Sequence, residues 1–192
     1  MNKTSTSIPV FTGPRYGFDL DGCSANFYEG LIRKGRELGF KRLRESWQEI
    51  TDYRNPMPDF YNIFAAVHRD MDFWSGLPVL EKPKIRPVCW ITQRPQIPGL
   101  IAITHRWLRL NGILTAPVYI VEGCSGKAIV ARQLRLDCIV DDCPDNYVEL
   151  TRKGVNCKLL DRPWNRAVDA GLDRIYSLDL GFGLRLARRT LQ

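Results

Sequence analysis

A chain of 192 residues can form one substantial hydrophobic core with a small insertion beside it, and a hydrophobic fraction of 44% excludes a disordered polymer. The formal charge of +7, from 28 basic and 21 acidic side chains with arginine the commoner base, points to an anionic partner: nucleic acid, a small phosphate ester or acidic lipid. No apolar run approaches the roughly 18 residues of a membrane span, and the N-terminus lacks the basic, apolar and small-residue order of a secretion signal, so a cytoplasmic location is expected.

Residues 1–14 are polar and rich in Ser and Thr, with Pro9 and Pro14 opposing regular structure, and read as a flexible leader. The stretch YGFDLDGCSANF, Tyr16 to Phe27, follows. Its apolar entry predicts a strand to about Leu20, where alternation places the carboxylates of Asp19 and Asp21 on one side and Gly22 lets the chain turn tightly away. Acids before glycine also make ordinary surface turns, so this pair alone does not define a site. From Asn26 to Leu38, Phe27, Leu31, Ile32 and Leu38 share one helical face, and Gly39 is a stop. The next forty residues show no strand alternation and concentrate Trp47, Tyr53, Phe60, Phe64, Phe73 and Trp74. Asp59 is the expected cap of a helix running to about His68. Residues 26–80 therefore read as a small, mainly helical insertion whose aromatics fill its own core. Phe73 and Trp74 are adjacent and cannot share a helical face, so one of them is free to face the main domain or a ligand.

After PKIRP the pattern changes. Val88–Ile91 predicts a buried strand with Thr92 at its end, and an amphipathic helix follows from near Pro98 to Gly112. Val118–Val121 is a short strand. Ser125 to Leu136 reads as a helix capped by Ser125, with Lys127 in its first turn. The run Leu136–Val140 stops at Asp141 and Asp142, a short helix begins near Pro144, and VNCKLL makes a fifth strand. Tyr176–Leu180 is an expected edge strand, and LRLARRTLQ a basic terminal helix or tail. The six cysteines form no CxxC and no compact zinc spacing, and read as free, mostly buried thiols.

Repetition of strand, polar end and amphipathic helix predicts an open α/β sheet with acids at the strand termini. Asp19/Asp21, Thr92, Lys127 and Asp141/Asp142 then converge at one edge. Carboxylates brought together this way repel, which calls for a cation, and all-oxygen ligands without a histidine cluster favour Mg2+ over zinc. A carboxylate nucleophile, a second carboxyl group, a hydroxyl and an ammonium suit phosphoryl transfer. Each residue also has a plainer reading: Thr92 as a satisfied buried hydroxyl, Lys127 as a solvated helix residue, and Asp142 as a helix cap.

The order DLDG, WIT, Lys127, VDD resembles the four motifs of the haloacid dehalogenase-like (HAD) phosphatases over nearly the whole chain. FDLDGCSANF, DFWSGLPVL, KAIVARQLRLDCIVDDCPDN and KLLDRPWNR are similar to the 5'(3')-deoxyribonucleotidase branch and its bacterial and phage-type relatives. The resemblance implies a Rossmann-like three-layer α/β sandwich with a mostly parallel sheet: a core of residues 15–25 and 81–192, with 26–80 as a small helical cap inserted after the first strand. It implies that Asp19 attacks phosphorus to form an aspartyl phosphate and that Asp21 protonates the leaving alcohol and then activates water. Mg2+ would be held by Asp19, the backbone carbonyl of Asp21 and Asp141, with Asp142 either a ligand through water or a residue that orients the other ligands. Thr92 would bond a transferring phosphoryl oxygen and Lys127 would offset charge on Asp19 and the phosphate. Phe73 and Trp74 match the aromatic pair of the cap, and Arg94 is a candidate phosphate contact. Two positions depart from the pattern: Asn26, where many branch members carry an acid, and Cys143, where the animal enzymes carry arginine.

The expected activity is hydrolysis of a phosphomonoester, a nucleoside monophosphate and in particular a deoxyribonucleotide, by a monomer or homodimer. Two alternatives accompany it: a phosphatase for nucleic-acid ends, prompted by the basic segment Arg185 to Arg189, and a non-catalytic nucleotide-binding protein on the same fold.

Overall fold

A computed structural model describes residues 13–179. The expected leader lies almost entirely outside the described residues, as do the basic terminal segment and the end of the expected Tyr176–Leu180 strand. Six strands form one parallel sheet: β1 (Tyr16–Phe18), β2 (Cys89–Thr92), β3 (Val118–Ile120), β4 (Cys138–Asp141), β5 (Cys157–Leu160) and β6 (Arg174–Ile175), in the order β3-β2-β1-β4-β5-β6. The chain runs outward from β1 to β3 and then returns to β4 on the other flank of β1. The crevice beyond the C-terminal ends of β1 and β4 is thus the switch point at which such sheets bind ligands.

Strand alternation sends side chains to two apolar layers, as a parallel sheet covered on both faces requires. Tyr16, Phe18, Trp90, Cys138 and Val140 pack into one cluster with α1 (Phe27–Glu37), α3 (Met71–Ser75) and α4 (Leu100–Leu110). Cys89, Ile91, Ile139 and Leu159 pack on the other face with α5 (Gly123–Gln133) and α6 (Pro144–Arg152). Gly17 points into this second layer, where an added Cβ would lie 2.5 Å from Leu136, so the helix layer approaches β1 closely because no side chain stands there.

Between β1 and β2 lie α1, α2 (Phe60–Val67) and α3. Asn26 caps α1, its side-chain oxygen accepting from Glu29 N–H at 3.1 Å, which gives the amide a local structural use. Asp59 stands at the α2 N-cap but makes no side-chain capping bond; it pairs with Arg42 at 3.0 Å instead. Two other expected boundaries move. α5 starts at Gly123, so Ser125 lies inside the helix and Lys127 in its second turn. The edge strand is Arg174–Ile175, ahead of the expected Tyr176–Leu180. None of the six cysteines is in a disulfide. Among the described residues, no helix is long and apolar enough to cross a membrane.

Candidate active site

Asp19 lies just past β1, fixed by its N–H donating to Val140 O at 2.8 Å. The Gly22–Ala25 turn folds back on this backbone through Ser24 N–H and Ala25 N–H, both donating to Leu20 O at 2.8 Å. Gly22 has φ +83°, and a Cβ there would stand 2.1 Å from Asp142 Oδ2. Glycine therefore both makes the turn and lets the β4 acids approach it.

Asp19, Asp141 and Asp142 are buried, and each offers a carboxylate oxygen within 4.8 Å of the others. Lys127, fully buried, enters from α5 and pairs with Asp19 Oδ2 at 3.0 Å and Asp141 Oδ2 at 2.7 Å. Asp141 Oδ1 accepts from Cys143 N–H at 2.9 Å and from the Asn146 amide at 3.0 Å. Asp142 Oδ2 accepts from the Trp164 indole N–H at 3.0 Å. Among the described residues, Asp19 Oδ1 is buried with no hydrogen-bond partner.

Burial pushes the Asp19 carboxyl well above its usual range; Lys127 opposes this, while Asp141, Asp142 and Asp21 add to it. Asp142 is pushed up to about 7, by burial first and then by Asp141. Burial alone would pull the Lys127 ammonium down, but Asp141 and Asp19 outweigh it and hold the amine above its ordinary value. Two of the three buried carboxylates thus share the Lys127 ammonium, the third is held by an indole and a thiol, and among the described residues Asp19 Oδ1 has no donor. A hard divalent cation with oxygen ligands fits this donor set.

The Asp21 side chain turns away from the triad. Arg94 grips it with two bonds, Nη2 to Oδ1 and Nε to Oδ2, both 2.7 Å, and the Thr92 hydroxyl donates to Oδ2 at 3.0 Å. Arg94 is itself fixed: Nη1 donates to Thr104 Oγ1 at 3.0 Å, and the guanidinium stacks 4.9 Å from the Trp74 ring. Asp19, Asp21, Thr92, Lys127, Asp141 and Asp142 are therefore gathered at one end of the sheet, with Arg94 beside them.

A cavity of about 240 Å3 opens over Asp19, Asp21 and Asp142, walled by Phe27, Tyr28, Phe60, Phe64, Trp74 and Trp164. Trp74 faces it, whereas Phe73 does not: it turns into the core and meets Phe27 edge-on at 6.1 Å. Sequence reasoning missed Tyr28, Asn146 and Trp164. Asn146 and Trp164 lie inside the resembling segments CPDN and DRPWN, but neither carries a charge that marks it as chemical. Tyr28 sits on a helix face read as packing.

No protein-family model matches the chain. A nucleotidase of Clostridium acetobutylicum is 30% identical over 98 residues, which is 50% of this chain and 50% of that protein, so the match spans about half the length of that relative. Among solved structures, a HAD-superfamily hydrolase of subfamily IA from Geobacter sulfurreducens superposes with a TM-score of 0.53 at 14% identity, covering 89% of this chain and 98% of that one. CbbY of Rhodobacter sphaeroides, solved in complex with phosphate, gives 0.55 at 16% identity, again over 89% and 98%. The chain has the HAD-like fold, a doubly wound α/β sheet with its acids at the switch point.

Proposed function

We propose that this chain is a Mg2+-dependent phosphomonoester hydrolase acting on a nucleoside monophosphate, in particular a deoxyribonucleotide, through an aspartyl-phosphate intermediate. The observation that carries this reading is the unpartnered buried oxygen of Asp19, set beside Lys127 beneath an aromatic-walled cavity. An anionic nucleophile needs a lone pair free of donors, and a nucleoside needs flat apolar walls for its base.

Asp19, Asp141, Asp142 and the backbone carbonyl of Asp21 would hold the metal. Mg2+ there would neutralise the phosphate and let the anionic carboxylate approach it. The Asp19 carboxylate attacks phosphorus, forming an O–P bond as the ester P–O bond breaks, and Asp21 gives its proton to the departing alcohol. Water then attacks the aspartyl phosphate while Asp21 takes its proton, releasing phosphate and restoring Asp19. Thr92 and Arg94, which here donate to Asp21, are also the donors a phosphoryl oxygen would use. An arriving phosphate competes for them and loosens Asp21 for proton transfer. Lys127 favours the ionised form of Asp19 against the effect of burial and offsets phosphate charge, a contact worth about 2–4 kcal/mol in the transition state.

In this reading residues 26–80 serve as the cap. Their rings enclose a space suited to a mononucleotide, and Arg54 reaches across to pair with Asp145 of α6 at 2.6 Å. Such closure disfavours a polymer end. The test is phosphate release from 5'- and 3'-ribo- and deoxyribonucleoside monophosphates, with and without Mg2+, alongside Asp19→Asn. Turnover of a few deoxynucleotides, lost by a thousandfold or more in the variant and abolished by chelator, is expected. Activity retained in Asp19→Asn would remove Asp19 as nucleophile, and no turnover of any mononucleotide would remove the substrate class.

A further inference from the structure

The DRPWN segment follows β5 and bonds to both acid-bearing loops. Arg162 Nε donates to Gly22 O at 2.7 Å and Nη2 to Cys23 O at 3.2 Å, fixing the turn after Asp19. Asn165 Nδ2 donates to Asp142 O at 2.8 Å and Leu160 O at 2.7 Å, fixing the backbone after Asp141. Between them, Trp164 reaches a carboxylate oxygen of the triad itself, 3.0 Å from its indole nitrogen. Among the described residues, the other oxygen of Asp142 accepts only from a thiol, Cys23 Sγ at 3.7 Å, so the indole is the strong donor to this side chain.

The indole ring is held from its other side. Tyr28 meets it edge-on at 4.9 Å and Trp47 at 6.0 Å, and Trp164 is 4% exposed. A rigid ring wedged by two others aims its N–H at one point. Carboxylates that bind metals need such outer donors to fix their direction, since a freely rotating carboxylate loses orientation on each binding event.

We propose that Trp164 is a positioning residue for the metal centre: it orients the Asp142 carboxylate toward the shared cation site and links occupancy of that site to the cavity wall. This rests on the metal-binding part of the proposed function, but not on the identity of the substrate. A cation drawing on Asp142 alters the charge that the indole N–H faces. Tyr28, packed on the same ring, lines the cavity.

Mg2+ binding to the whole protein, measured by calorimetry without substrate, is the test. Trp164→Phe keeps most of the ring's bulk and removes only the donor, and it is expected to weaken Mg2+ at least tenfold. A second readout needs no variant. In 1H–15N spectra of the wild-type protein, the Trp164 indole peak, assigned by its contacts to the Tyr28 ring, is expected to shift along the Mg2+ binding curve. The Trp90 and Trp107 indoles, which donate to the carbonyls of Leu114 and Leu77, are expected to stay in place. A variant that binds Mg2+ within twofold of wild type, or a Trp164 peak that stays still as Mg2+ binds, overturns the role of Trp164 while leaving the proposed reaction intact. A wild-type protein that binds no Mg2+ overturns both.

Discussion

Among the described residues, Lys127 is the one ammonium between Asp19 and Asp141, and its side chain has no exposure. Its removal leaves two buried carboxylates facing each other, a change that typically costs about 3–5 kcal/mol because the remaining charge is uncompensated. Lys127→Met should therefore lower unfolding free energy by about 3 kcal/mol in urea titrations at pH 8 without metal, and Mg2+ should recover part of that loss by replacing the missing charge. A variant as stable as wild type without metal would mean that the ammonium is not what holds the cluster. The lysine was legible in the sequence as an early-helix cation near paired acids. That it bridges two of them was not, because the bridge depends on how far α5 is rotated against β1 and β4.

The Gly22 turn carries the same logic to a whole element. At φ +83° an L side chain is strained, and a Cβ would also overlap Asp142 Oδ2 at 2.1 Å, so relief requires the acid pair to move. Gly22→Ala should cost about 1–3 kcal/mol of stability and at least tenfold in Mg2+ affinity, the two read by urea unfolding and calorimetry on one preparation. Unchanged metal affinity would show that the turn does not set the geometry of the triad. The sequence made this turn readable, since DLDG after an apolar run allows few alternatives. It did not make β6 or the start of α5 readable. Ser125 looked like a cap, but its hydroxyl accepts from Lys153 at 3.0 Å, and Gly123 already begins the helix. The edge strand is chosen by long-range bonds, Asp161 N–H donating to Ile175 O at 2.7 Å and Arg174 pairing with Asp161 at 2.8 Å. The apolar pattern that favoured Tyr176 could not compete, because Tyr176 is exposed.

At the scale of the molecule, the parallel sheet sandwiched between two helical layers leaves β1, β2 and β4 dry, and that sets the behaviour of its thiols. Cys89 on β2 and Cys138 on β4 lie in opposite layers and are almost wholly buried. Burial pushes both up from 9.0 to about 12, Arg15 opposing weakly at Cys89 and Lys158 at Cys138. Below pH 9 both thiols are protonated in the folded and unfolded chain alike, so they contribute no pH dependence. Between pH 9 and 12 only the unfolded chain releases these protons, so stability falls as pH rises, by up to about 1.4 kcal/mol per pH unit for each thiol. Above about 12 the folded protein ionises too and the slope from these groups ends. Unfolding free energy measured from pH 8 to 11 should thus decline, and the decline should be shallower in a Cys89→Ala, Cys138→Ala double variant, whatever its stability at pH 8. An identical slope in the variant would place the alkaline sensitivity elsewhere. The same burial should keep both thiols silent to a thiol reagent at pH 8 while the partly exposed Cys124, itself pushed up by burial, reacts slowly, since attack needs both access and thiolate.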